Sequence, residues 1–267
     1  MSYYCPRGFE ARVEQLRQVQ RFSGFEVMYY RTTLEDNSLM VSWTVGELLP
    51  YAERTFAPNF GMRERRETIT QALVHDDPEL RMKQGDVSAY LKSRMNDDER
   101  AALKADERLA IRELAAEFPE RFHGFSYKKL LMAASRKDTV VAQLVSLADK
   151  ITGFGEIFHE LYAGNEQFIV DKATGNKPAE WYVQKFLNRK AEWPLLKPLF
   201  GYDHPFLNLP KKFKSAEIVK NGSPHTVDSL KEATGHAIYD KWREVILEKG
   251  EEKWLELLVK QREFSSS

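Results

Sequence analysis

His75 and Asp76 are adjacent, Glu79 follows four residues after the histidine, and Asp149 lies far downstream inside a long apolar stretch. An imidazole beside a carboxylate suits Mn²⁺, Fe²⁺, Co²⁺, Ni²⁺ or Zn²⁺ better than an all-oxygen donor set does. A carboxylate set beside an apolar helix face is costly to bury without a partner, and a metal ion is one such partner. Upstream, Glu35-Asp36-Asn37-Ser38 places more oxygen donors where a loop leads into another apolar run. Polar groups from 35–38, 75–79 and 149 could therefore converge on one cation.

Simpler readings stand beside this one. His75-Asp76 could be a polar helix end, the histidine favoured by the helix dipole. Asp149 could be half of a buried ion pair with Lys150 or another lysine. Asn37 could serve as an N-cap, with Asp36 standing in as the ligand. The other five histidines have no partner spacing and read as core or surface residues, and Cys5 reads as a terminal thiol.

The elements that must position these groups are helical. Apolar residues recur at helical spacing over 9–22, 39–56 and 63–76, and a shorter helix is expected over 87–95. Asn96 or Asp97 can cap a charged helix that Pro119 stops. The clearest helix runs over 139–163, with Val141, Leu144, Val145, Ala148, Ile151, Phe154, Phe158 and Leu161 on one face and Gly164-Asn165 closing it. No alternation is sustained enough to build a sheet. Beyond 165 the character shifts: over 171–222, lysines interleave with Trp181, Trp193 and Phe206, and five prolines cut the stretch into short pieces. Two amphipathic helices are expected over 227–249 and 251–262.

Composition bounds the rest. At 267 residues and 42% apolar, the chain can bury a real core but cannot hold three domains. Forty basic and forty acidic residues leave no global field for a polyanion, so nucleic acid is disfavoured as a partner. The lysine- and aromatic-rich stretch reads instead as a lobe packed on the main domain, or closed over the site so that its lysines meet a nucleotide's phosphates. One cysteine excludes an internal disulfide framework and a multi-cysteine zinc cage. Without a long apolar run or an apolar leader, a cytoplasmic location with no membrane contact is expected.

The segments 72–79, Gly85-Asp86, 147–150 and 160–166 together resemble the HD-domain metal-dependent phosphohydrolases, above all the bacterial HD-domain 5′-deoxynucleotidases. The resemblance spans roughly residues 10–172. It implies an all-α fold, with an HD-domain helical bundle over 1–170 and an additional C-terminal helical and irregular lobe over 171–267. It implies a divalent metal ion (Mn, Co, Mg or Zn) held by His75, Asp76 and Asp149, and a homodimer. Glu79 matches the glutamate that works on the attacking water or the leaving oxygen, a task that calls for a pKa raised by partial burial. Asp86 matches a catalytic-site residue near the sugar. Arg21 and Arg31 fall near the phosphate, and Phe22 and Phe25 near the deoxyribose.

The implied reaction is hydrolysis of deoxynucleoside 5′-monophosphates to deoxynucleoside and phosphate. In one respect the sequence departs from the family: Asn37 stands where the first histidine ligand is expected. An amide oxygen is a weaker donor than imidazole toward transition metals, so the change favours harder ions such as Mg²⁺ or Mn²⁺. Two alternatives stay open, a deoxynucleoside triphosphate triphosphohydrolase and a nucleotide-binding pseudoenzyme that has lost its metal.

Overall fold

Residues 140–162 are buried on nearly every face, polar positions included, and a helix of that kind sits in the middle of a fold. The computed structural model describes residues 5–25, 28–85, 87, 89–170, 175, 177–208, 237–250 and 252, with the backbone alone at 89–91. In chain order the helices are α1 (Glu10–Gln18), α2 (Leu34–Phe56), α3 (Met62–Val74), α4 (Ala89–Arg94), α5 (Asp97–Glu117), α6 (Tyr127–Arg136) and α7 (Val140–Tyr162). Then come α8 (Pro178–Leu187), α9 (Arg189–Glu192) and α10 (Ala237–Trp242), which runs into a π-helical turn, Arg243–Glu248. The fold is all-α. The one sheet among the described residues is a two-residue hairpin, β1 (Arg121–Phe122) with β2 (Phe125–Ser126).

Local chemistry sets the helix boundaries. Thr33 caps α2 in a reciprocal capping box with Asp36, and Asn96 caps α5 in the same way with Glu99. Asn37 is therefore not the N-cap, and the Asp36 carboxylate accepts from the Thr33 amide at 2.8 Å and its hydroxyl at 2.7 Å, so it is not at the cation site. Helix α2 begins five residues before the expected 39, because the cap and not the first apolar residue opens it. Helix α6 is not anticipated from the sequence; its buried residues Tyr127, Leu130 and Leu131 make too short an apolar series to stand out.

Helices α2, α3 and α7 pack on one another and carry the main core. A second cluster, including Phe9, Leu73, Phe118, Phe122 and Tyr127, joins α1, α5 and α6 to the back of α3. The main core continues past residue 171: Tyr182, Phe186, Trp193, Phe206, Tyr239 and Trp242 all belong to it. Two α7 glycines receive this part of the chain. The Tyr182 ring rests on Gly153, and a Cβ at Gly155 would collide with the Trp242 indole. Of the two C-terminal helices expected from the sequence, the first can be compared over 237–249 and is helical as far as Glu248, and of the second only residue 252 is described. No helix among the described residues is long and apolar enough to cross a membrane.

Candidate active site

Three helices deliver one polar group or pair each. Asn37 comes from the first turns of α2, His75 and Asp76 from the C-terminal end of α3, and Asp149 from the middle of α7. His75, Asp76 and Asp149 offer ligand atoms that lie within 4.8 Å of one another. The imidazole Nδ1 lies 2.8 Å from the Ala72 carbonyl oxygen, to which it can only donate. Its Nε2 then faces Asp76 Oδ2 at 3.2 Å and Asp149 Oδ1 at 3.8 Å. A histidine oriented through its other nitrogen is the usual arrangement behind a metal ligand.

Asn37 is fully buried beside this cluster. Its amide Nδ2 donates to Asp76 Oδ2 at 2.5 Å and approaches His75 Nε2 at 3.5 Å. Its Oδ1 has no hydrogen-bond partner among the described residues. A buried acceptor without a donor costs roughly 1–3 kcal/mol, which a bound cation would recover. One imidazole and two carboxylates form a donor set that could hold a divalent ion, with the buried Asn37 amide beside it.

The electrostatics are those of a site built for positive charge. Burial alone would push the His75 imidazole down, but Asp76 and Asp149 outweigh it and carry its pKa up to about 10. Burial also opposes ionisation of Asp149, yet Lys150, His75 and Arg21 hold its carboxyl well below the usual carboxylate range. Asp76 is lowered against its own burial, chiefly by His75. Lys150 pairs directly with Asp149, so the ion-pair reading of Asp149 holds alongside its membership of the cation cluster.

Further residues position the cluster. Arg12 grips Asp77 with two hydrogen bonds, at 2.6 and 2.7 Å, and also donates to the Leu73 carbonyl; Tyr127 donates to the same carboxylate at 2.6 Å. This fully buried network ties the turn carrying His75 and Asp76 to α1 and α6. Asp77 is not anticipated from the sequence, although a second acidic residue directly after His75-Asp76 is an available signal. Glu156 is not anticipated either, seven residues beyond Asp149 on the same helix face. Glu156 pairs with Arg21 and accepts from Thr32 Oγ1 at 2.5 Å. Glu160 accepts from the Tyr29 and Tyr30 amides at 3.0 and 2.6 Å and from Asn165 at 2.7 Å, so the end of α7 holds the 29–30 loop.

The cluster opens onto a cavity of about 450 Å³ whose lining includes His75, Asp76, Glu79 and Asp149. Glu79 is 8% exposed there, on the 3-10 turn Asp77–Leu80, and its Oε1 lies 3.3 Å from the Lys92 ammonium. Arg100, Lys104, Lys137, Lys150 and Lys185 also line it, as do Trp181 and Trp193. Arg21, Phe22, Phe25 and Arg31 do not. Arg21 is buried behind Asp149, 3.9 Å from its Oδ1. Phe22 and Phe25 pack with Phe168, and Arg31 donates to the carbonyls of Phe22 and Phe25 at 3.4 and 2.5 Å. Asp86 lies outside the described residues.

Fold and site together describe an all-α protein with a His/Asp/Asp cluster that could hold a cation, at the wall of a cavity. Comparison with known families narrows this to one: the model of the 5′-deoxynucleotidase YfbR-like family matches residues 8–181, and the chain belongs to that family. The family is one of hydrolases of the 5′-deoxynucleotidase type, and its HD-type site calls for a divalent metal. No curated protein and no solved structure matches the chain. The matched region contains every residue of the cation site and ends at Trp181.

Proposed function

We propose that this protein hydrolyses deoxynucleoside 5′-monophosphates, with a divalent metal held by His75, Asp76, Asp149 and the Asn37 amide oxygen. The observation that carries the reading is His75 Nε2, turned by the Ala72 carbonyl into two carboxylates at the wall of a cavity that also exposes Glu79. Bound there, the metal would polarise the phosphoryl oxygens and make a water molecule acidic enough to attack. Glu79, with its Oε1 3.3 Å from Lys92, orients that water or gives a proton to the departing 5′-oxygen. Arg21, anchored by Glu156, supplies positive charge behind Asp149. Phe22, Phe25 and Arg31 fix the loop that carries Arg21, and their contact with substrate follows only if that loop turns toward the cavity. Asp86 keeps the role near the sugar that the resemblance implies. The same reading places the protein in the cytoplasm as a homodimer, and sedimentation equilibrium at twice the 31.0 kDa chain mass would support the dimer.

The test is a panel of ribo- and deoxynucleoside mono-, di- and triphosphates with Mg²⁺, Mn²⁺ or Co²⁺. Orthophosphate from deoxymonophosphates is the expected product. A second reading, the triphosphohydrolase, is favoured by Lys104 and Lys137, which line the cavity without an ion-pair partner among the described residues. Tripolyphosphate among the products would select it. No turnover with any metal would leave a nucleotide-binding protein silenced at Asn37.

A further inference from the structure

Helix α6 ends on Lys137, whose backbone is left-handed, with φ 56° and ψ 33°. Glycine is the usual residue in that conformation, because a side chain there crowds the neighbouring carbonyl. The strained backbone is held from both sides. Its amide donates to the Ala133 carbonyl on α6 at 2.9 Å, and its own carbonyl accepts from Gln143 Nε2 on α7 at 3.1 Å. Gln143 is fixed in turn, its Oε1 accepting from the Leu195 amide at 2.9 Å.

Closing this joint does not require a side chain, since glycine would do so without strain. What the side chain adds lies in the cavity. Lys137 lines it with Lys92, Asp149 and Lys150, and the charges of all three act on its ammonium. Lys92 pairs with Glu79 and Lys150 with Asp149, whereas the Lys137 ammonium has no ion-pair or hydrogen-bond partner among the described residues. Crowding by the cavity walls, with Lys150 and Lys92, pushes its pKa below that of a free lysine against the opposing pull of Asp149 and Glu107. An anion seated there would offset the repulsion among these ammonium groups. We propose that the Lys137 ammonium binds a phosphate oxygen of the substrate on the Asp149 side of the cavity. The left-handed joint then serves substrate binding and not the fold. This rests on the nucleotide reading above.

The experiment uses the full chain carrying Glu79→Gln, so that bound nucleotide is not consumed. Calorimetry measures the melting temperature without ligand, the affinity for Mn²⁺ alone, and the affinity for the four common deoxynucleoside 5′-monophosphates with Mn²⁺ present. Lys137→Gly should melt at the parent's temperature or above it and bind Mn²⁺ no less tightly, because glycine relieves the strain. It should nevertheless bind the best monophosphate about tenfold to a hundredfold more weakly, the usual loss of a charged hydrogen bond. Lys137→Met, which keeps the length but not the charge, should lose as much. A lower melting temperature or weaker Mn²⁺ binding in Lys137→Gly would overturn the inference by showing that the lysine serves the fold. Monophosphate binding as tight as the parent's in either variant would also overturn it and leave the proposed reaction standing. If no monophosphate binds the parent protein, the proposed reaction fails and the inference fails with it.

Discussion

Glu79 and Asn37 carry the sharpest consequences at the scale of single residues. Glu79→Gln keeps size and shape but removes the ionisable group, so turnover should fall by about 10²–10⁴. Metal content, measured by atomic emission, should stay unchanged, because Glu79 is not in the cation cluster. Asn37→His puts an imidazole in place of the buried amide whose nitrogen lies beside His75 and Asp76. Zn²⁺ and Co²⁺ should then bind about tenfold tighter or more by calorimetry, while Mg²⁺ binding should not improve. Unchanged Zn²⁺ affinity would remove Asn37 from the ligand set. His75, Asp76, Glu79 and Asp149 were named from the sequence because the histidine is one of only six and the carboxylates stand at telling spacings around it or beside an apolar face. Lys150 was legible as a partner for Asp149, but Trp181 and Lys92 were not legible as cavity residues, since half-exposed lysines and aromatics abound in any chain and only packing shows which face a cavity.

Elements matter here through the joints between them. Arg12→Ala should destabilise the protein by about 3–5 kcal/mol in urea unfolding, because it leaves the Asp77 carboxylate buried and unpaired by its guanidinium. The double variant R12M/D77L should recover most of that loss, since an apolar pair avoids the desolvation cost. A second joint holds α10 on α7. His159 on α7 meets the Tyr239 hydroxyl at 2.9 Å, and burial, helped by Arg243, pushes its pKa down to about 4. The unfolded chain takes up this proton near pH 6.5 while the folded chain resists it until about pH 4, so its stabilising effect is full above 6.5 and is lost as pH falls toward 4. Between pH 7 and pH 5 the wild type should lose about 2 kcal/mol more stability than His159→Gln. Equal losses would show that this histidine is not held neutral by the fold.

For the whole molecule, the main core decides how the chain can be divided. Tyr182, Phe186, Trp193, Tyr239 and Trp242 share it with the helices bearing the cation site. A chain cut after residue 170 would leave α7 bare along the faces they cover. It should fail to give a cooperative melt by calorimetry and should aggregate, whereas a separable lobe would leave a soluble, melting bundle. Gly155→Ala probes the same contact gently: the added methyl displaces the Trp242 ring, and overpacking of that kind costs about 1–3 kcal/mol.

What the amino-acid sequence determined by itself was periodic or chemically costly. Residues 140–162 had to be a helix because Val141, Leu144, Val145, Ala148, Ile151, Phe154, Phe158 and Leu161 recur at helical spacing on one face. The helix starts at Thr33 and Asn96 were set by side chains that satisfy otherwise unpaired backbone amides. His75-Asp76 and Asp149 pointed to a cation because such groups are seldom buried together without one. The tertiary structure alone decided which groups meet. It brought Asn37 rather than Asp36 to the cluster, spent Arg21 on Glu156, and turned the tryptophans after residue 180 toward the cavity. Those outcomes depend on contacts between residues far apart in the chain, and neither spacing nor periodicity encodes such contacts.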